Sequence, residues 1–140
     1  MSSKKLYIWD EIYKTGLTNP EIYREIAAAG YGKETITADS AEPKSIAELR
    51  NFGLRGRPAV KGPDSIRHGI QFLQGFQIII HPRCVHFLTE ISNYTWDTDR
   101  AGNRLNVPID EFNHLLDALR YATEKLATGT VHYHGYKGGI

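Results

Sequence analysis

Short apolar segments alternate with helix signals along this chain, and this alternation restricts its fold more than any other feature. The run QIII at Gln77–Ile80 is typical of a strand covered on both faces. Between strands, capping residues, first-turn prolines and glycine stops predict helices. Strands alternating with helices favour an α/β fold. The predicted strands are 5–13, 35–38, 59–61 and 77–80, and the predicted helices run from a cap at Thr18 or Asn19 to Gly30, from Pro43 or Lys44 to Phe52, from a cap at Asp64 through Leu73, and over Val85–Ser92.

The last third of the chain adds a hairpin and a long helix. Tyr94–Val107 has the pattern of an antiparallel hairpin with DRAGN at its tip, and a helix is predicted from Asp110 to Leu126. The remainder, 129–140, is rich in glycine and predicts a flexible tail. We therefore expect one α/β domain over 1–128, followed by that tail.

Composition excludes several classes of protein. The 140 residues carry a net charge of only +1, so a nucleic-acid partner would have to be bound by a local basic cluster. The single cysteine, Cys84, cannot form an internal disulfide, and no apolar run is long enough to span a bilayer. With no signal-peptide core at the amino terminus, the sequence predicts a soluble intracellular protein. No phosphate-binding GxxxxGK[ST] run is present, which excludes an ATPase motor in this chain.

Asp39 is the first candidate for chemistry. It directly follows the predicted strand 35–38 and precedes a helix, and ligands of α/β sheets gather beyond the carboxyl ends of strands. A carboxylate at that place can hold a metal ion. Alternatively, Asp39, Ser40 or Glu42 only caps the helix that starts near Pro43.

The final helix offers a second candidate group. At about 100° per residue, Asp110, His114, Asp117 and Tyr121 share one narrow face, opposite a leucine-rich face. A carboxylate one turn from an imidazole suits metal binding or proton transfer to water. The alternative is the solvated face of an amphipathic helix, with Asp110 as its cap.

Basic residues concentrate in the middle of the chain, at Arg55, Arg57, Lys61, Arg67 and His68. Such a cluster can contact a DNA backbone. The alternative, which the sequence alone favours, is a solvated loop between helices. The histidines show no zinc spacing, and Cys84 is expected to be a buried small hydrophobe.

Four strings, in this order, resemble the carboxy-terminal nuclease domain of phage terminase large subunits. They are LYIWDEIYKTGLTNPEI, TADSAEPKSIAELRNFG, VKGPDSIRHGIQFL and DEFNHLLDALRYA, and they run from about Leu6 to Ala122. The resemblance implies a ribonuclease-H-like fold, a mixed sheet flanked by helices, with a β-hairpin before the last helix. It also implies a metal-dependent endonuclease that cuts double-stranded DNA during genome packaging in the bacterial host cytoplasm, with the small terminase subunit and the portal as partners.

The same resemblance assigns roles to individual residues. Asp39 and Asp117 match the family's metal-binding aspartates, and His114 matches a histidine that positions a ligand or a water. Asp110 matches a further acid, and Lys61 a lysine that contacts substrate phosphate or the acidic cluster. The implied cofactor is Mg²⁺ or Mn²⁺, two ions about 3.5–4 Å apart. Arg55 and Arg57 are the additional DNA-binding candidates.

The sequence departs from the family pattern at its start. The family's first-strand metal-binding aspartate and its ATPase domain find no counterpart, and Asp10 and Glu11 match a DE pair that follows a later strand. We therefore expect the sheet to close in an unusual way or to meet a partner chain. Two alternatives to a nuclease follow: an incomplete module that only binds DNA or assembles with packaging proteins, and a small-molecule-binding domain of flavodoxin type.

Overall fold

The computed structural model describes residues 4–62 and 64–128, which form five helices and six strands. These residues divide into two compact units. The first unit contains 4–13 and 66–117, and the second contains 14–62, 64–65 and 118–128. In chain order the elements are β1 Lys4–Ile8, α1 Asn19–Ala28, β2 Thr35–Ala38, α2 Pro43–Asn51, β3 Arg55–Pro58, α3 Ser65–Gln74, β4 Phe76–Ile80, α4 Val85–Asn93, β5 Trp96–Thr98, β6 Arg104–Pro108 and α5 His114–Thr128.

The first unit is built on the parallel pair β1 and β4, with Lys4 opposite Phe76 and Ile8 opposite Ile80. Its buried core contains Ile8, Leu73, Cys84 and Phe87. Burial raises the pKa of the Cys84 thiol, as expected for a cysteine that packs as a small apolar side chain.

The hairpin of the first unit forms as predicted, from antiparallel strands β5 and β6. Its turn is closed by Asp99, whose Oδ1 accepts the N–H groups of Ala101 at 2.9 Å and Asn103 at 2.8 Å. Gly102 has a φ of 85° there, a conformation that glycine adopts at no steric cost.

The second unit is built on the parallel pair β2 and β3, with Thr35 opposite Arg55 and Ala38 opposite Pro58. Its buried apolar residues are Ile46, Leu49, Leu54 and Ala59. Helix α1 starts with a reciprocal capping box between Thr18 and Glu21, which satisfies two backbone N–H groups. The predicted cap, the first-turn proline and the glycine after α1 are all confirmed.

Two predicted strands have the wrong extent. The strand predicted over 5–13 ends at Ile8, because its partner β4 ends at Ile80 and Pro82 cannot continue the ladder. The strand predicted at 59–61 lies instead at Arg55–Pro58. Glycine and proline have low strand propensity, so the sequence of this segment does not predict a strand. Its pairing with β2, continued by the Ala59 N–H to the Ala38 carbonyl at 2.7 Å, overrides the weak local preference.

The last helix starts later than predicted. It begins at His114 rather than Asp110, because Phe112 has a φ of 54°, a left-handed conformation that no helix contains. Among the described residues, no helix combines the length and apolarity required to cross a membrane. The predicted single domain over 1–128 stays a prediction, and the predicted tail, 129–140, lies outside the described residues.

Candidate active site

Asp39 directly follows the carboxyl end of β2, as predicted, and its side chain is half exposed. Its Oδ1 accepts the N–H of Ala41 at 2.9 Å. The residue that precedes α2 is Glu42, which makes no capping hydrogen bond through its side chain. Helix capping therefore does not account for Asp39, and its carboxylate stays at the strand end, where α/β folds collect ligands.

Lys61 is the partner of Asp39. Its Nζ lies 2.6 Å from Asp39 Oδ1, the length of a strong charge-assisted hydrogen bond. The hydrogen bond from Lys61, followed by that from the Ala41 N–H, lowers the pKa of Asp39 below its ordinary value. The same bond raises the pKa of Lys61. The pair is therefore fully ionised at neutral pH.

The backbone beside Lys61 is fixed by the second half of α5. The N–H of Val60 donates to both carboxylate oxygens of Glu124, at 3.2 and 3.0 Å. The Nζ of Lys61 also lies 6.0 Å from the centre of the Tyr121 ring. These contacts hold the segment 59–61, so Lys61 reaches Asp39 from a backbone position that is already set.

The two arginine candidates on β3 differ in their surroundings. Arg57 lies 3.5 Å from Glu124 Oε1, and its side chain is only 20% exposed. Arg55 is exposed. Arg57 therefore has a structural partner already, whereas Arg55 faces solvent.

His114 and Asp117 lie in the first turn of α5, within the first unit. His114 is exposed, and its ring centre lies 6.3 Å from that of Tyr13 in an edge arrangement. Asp117 is half-buried, and its N–H bonds to the Asn113 carbonyl at 2.7 Å. At a separation of three residues the two side chains share a helix face, as predicted.

Asp110 does not share that face, because it lies before the helix rather than on it. The predicted row of four residues therefore contains only His114, Asp117 and Tyr121 on helical backbone. The Oδ1 of Asp110 accepts a hydrogen bond from Asn113 Nδ2 at 3.2 Å, so this acid supports the turn that leads into α5.

The structure thus brings Asp39 to Lys61 in the second unit, and keeps Asp110, His114 and Asp117 in one segment of the first. Within 4–62 and 64–128, no group of three or more histidine, cysteine, aspartate or glutamate side chains is placed to hold a metal ion. The chemistry of the donors nevertheless fits a hard divalent cation, which prefers carboxylate oxygens. Asp39 is ionised and half exposed, and both of its hydrogen bonds are made to Oδ1.

Two glutamates that make helix-capping contacts were not among the predicted site residues. Glu11 accepts the N–H of Phe87 at 2.8 Å and that of His86 at 3.1 Å, and its carboxylate also bonds the His86 ring at 2.7 Å. Glu90 is buried, with 3% of its surface exposed. Its position three residues after buried Phe87 on α4 was the available signal, because helical spacing places both on one face. Glu11 thus caps the first turn of α4.

The family comparison agrees with this architecture. Residues 1–125 match the model of the terminase RNase-H-like domain. The large terminase subunit of Bacillus phage SPP1 is 34% identical over 125 residues, which are 86% of this chain and 30% of that protein. The large terminase subunit of phage PBSX from Bacillus subtilis (strain 168) is also 34% identical over 125 residues, covering 86% of this chain and 28% of that protein. The chain thus spans less than a third of these curated relatives.

Solved structures of large terminases are similar to this fold. The nuclease domain of the SPP1 large terminase, solved with bound Mn, superposes with a TM-score of 0.81 at 32% identity, covering 88% of this chain and 72% of that one. The large terminase of a thermophilic bacteriophage gives a TM-score of 0.59 at 28% identity over 75% of this chain and 28% of that one.

The fold is therefore that of ribonuclease-H-like nuclease domains, and the predicted fold class is confirmed. Within that class, the chain belongs to the family of terminase RNase-H-like domains. The small-molecule-binding alternative of flavodoxin type is thereby set aside.

Proposed function

We propose that this chain is the nuclease part of a phage terminase large subunit, and that it cuts double-stranded DNA during genome packaging in the bacterial host cytoplasm. The observation that carries the proposal is the likeness, over most of the chain, to a terminase nuclease domain solved with bound Mn. Asp39 at the end of β2, ionised and held by Lys61, supports it from the structure.

The proposed cofactor is a divalent cation, Mg²⁺ or Mn²⁺, with two ions bound. Asp39 and Asp117 are the proposed ligands, with Asp110 as a further acid. Bound there, the metal would lower the pKa of a water molecule and stabilise charge on the phosphate. The chain's own contribution is to place these carboxylates, and at Asp39 the hydrogen bond from Lys61 also lowers the pKa.

Two further roles belong to the proposal. His114, exposed and on the same helix face as Asp117, orients a ligand or takes a proton from the attacking water. Lys61, Arg55 and Arg57 contact the DNA backbone, Arg55 most directly because it is exposed. The small terminase subunit and the portal are the proposed protein partners.

The test uses supercoiled plasmid, Mn²⁺ and the variants Asp39→Asn and Asp117→Asn, which keep side-chain size and remove charge. Asp97→Asn, on the hairpin, is the matched control. We expect nicking by the parent chain that EDTA stops. Both site variants should lose more activity than the roughly 10–100-fold that loss of an outer-shell metal partner costs. Asp110→Asn should reduce cleavage less than either, because Asp110 lies off the helix.

One observation favours the second candidate, a module that binds DNA or packaging proteins without cutting. Within the described part of the chain, no three metal-binding side chains form a group. Retention of plasmid on the chain without nicking, unchanged by Asp39→Asn and Asp117→Asn, would support this candidate and contradict the nuclease.

A further inference from the structure

We propose that Glu90 is a positioning residue for the candidate active site, because it caps the helix that carries His114 and Asp117. Glu90 lies on α4, which is separated from α5 in the chain by the strands β5 and β6. Its Oε1 accepts the N–H of Leu115 at 2.8 Å and that of Leu116 at 3.1 Å. These residues are the second and third of α5.

The first turn of a helix has N–H groups without partners inside the helix, and the side chain of the preceding residue usually accepts one of them. In α5 that preceding residue is Asn113, whose side chain instead donates to Asp110. Glu90 replaces the missing local cap from another helix. An acidic side chain at a helix N-terminus also interacts favourably with the helix dipole.

Glu90 is buried where it makes this contact. Only 3% of the residue is exposed, and its second carboxylate oxygen, Oε2, is buried with no hydrogen-bond partner among the described residues. Burying a carboxylate is unfavourable unless hydrogen bonds to the charged group compensate. The two α5 N–H groups are the compensation that this structure provides, so Glu90 and the first turn of α5 depend on each other.

Helix α4 is itself fixed in the same manner. Glu11, which follows β1, accepts the N–H groups of His86 and Phe87 in the first turn of α4. Two carboxylates therefore connect β1 to α4 and α4 to α5. The second connection ends in the turn that contains His114 and Asp117, within one compact unit.

This role rests on the proposed nuclease function, so the test combines a structural readout with an enzymatic one. Amide hydrogen exchange at Leu115 and Leu116 is measured by NMR in the parent, Glu90→Ala, Glu90→Gln and Phe87→Leu. Phe87→Leu is the matched control, because it weakens the same helix without touching the cap. Mn²⁺-dependent plasmid cleavage is measured on the same four proteins.

We expect Glu90→Ala to speed exchange at Leu115 and Leu116 by about tenfold or more, and to lower kcat with little change in KM for DNA. Glu90→Gln keeps an acceptor oxygen and should restore both protection and cleavage toward the parent. Phe87→Leu should reduce overall stability without selective exchange at these two amides.

The proposal is overturned if Glu90→Ala leaves both amides protected, or if its cleavage falls no further than that of Phe87→Leu. If the parent chain does not cleave, the proposed nuclease function has failed, and the exchange data still decide whether Glu90 holds the first turn of α5.

Discussion

The Nζ atom of Lys61 lies 2.6 Å from Oδ1 of Asp39, so a cation of the protein already occupies the carboxylate that the family pattern assigns to metal. The ammonium group lowers the pKa of this acid, and in the proposed metal site it would compete with the cation for the same oxygen. These two effects have opposite consequences for metal binding, and they can be separated by substitution.

Replacing Lys61 with methionine removes the competing cation while keeping an unbranched side chain of similar length. We expect the Mn²⁺ concentration for half-maximal binding to fall. The change should be up to about fivefold, because the Lys61–Asp39 ion pair that Mn²⁺ has to displace lies at the surface and is weak. Titration of Mn²⁺ by electron paramagnetic resonance measures this directly. Lys33→Met, at an exposed position, is the control, and an unchanged or higher midpoint in Lys61→Met would contradict competition.

The stability contributed by the same pair should depend on pH in a defined way. The pKa of Asp39 is lowered, so its contribution is present above the carboxyl's pKa in the unfolded chain and is lost as pH falls through the lowered folded-state pKa. The pKa of Lys61 is raised, so its contribution is lost as pH rises through that raised pKa.

The melting temperature of Lys61→Met should therefore lie below that of the parent at neutral pH and converge with it in strong acid and strong base. The difference should be small, because the two side chains are 47% and 52% exposed and water screens the pair. Thermal unfolding monitored by circular dichroism from acid to alkaline pH provides the comparison. A difference that persisted in strong acid would have another origin.

Removing the cap of α1 should destabilise the fold more than an ordinary surface change. Thr18→Ala deletes the hydroxyl that accepts the Glu21 N–H, and with it half of the capping box. The expected loss is about 1 kcal/mol in the free energy of unfolding. Urea denaturation of Thr18→Ala and of the exposed control Thr15→Ala gives the measurement. Equal stability of the two variants would show that the box contributes nothing measurable.

Gly53 makes the turn between α2 and β3 with a φ of 106°. A side chain there meets no neighbouring atom within 4 Å, so any penalty for Gly53→Ala comes from the backbone alone. We expect a loss of at least about 1 kcal/mol. Gly62 has equally open surroundings without a positive φ, and Gly62→Ala should be close to neutral in the same urea experiment.

Sequence reasoning located the elements wherever local chemistry decides them. Helix α1 was predicted from Thr18, Pro20 and Gly30, and β2 was predicted with the ends that the structure shows. It misplaced β3, which pairing with β2 stabilises, and it misplaced the start of α5. A positive φ at Phe112 opposes the ordinary preference of a bulky residue, so no local rule finds it.

For the candidate site, the sequence predicted where residues lie relative to the strands, but it did not predict their tertiary contacts. Asp39 was proposed because it follows a predicted strand, and that strand is present. The family resemblance implied that Lys61 contacts substrate phosphate or the acidic cluster, and Lys61 lies beside Asp39. The capping roles of Glu11 and Glu90 were not predicted, because each caps a helix that lies far away in the sequence. A glutamate on a helix normally indicates a solvated face, and only the unusual burial of Glu90 shows otherwise.

The two parallel strand pairs also differ in when they can form as the chain leaves the ribosome. β2 and β3 are separated only by α2, so this pair is complete once Pro58 has emerged. β1 pairs with β4, and it must wait for three helices and for Phe76–Ile80 to be synthesised. Until then its strand edge and the side chains of Leu6 and Ile8 have no partner from β4, which leaves β1 open to wrong pairing during translation.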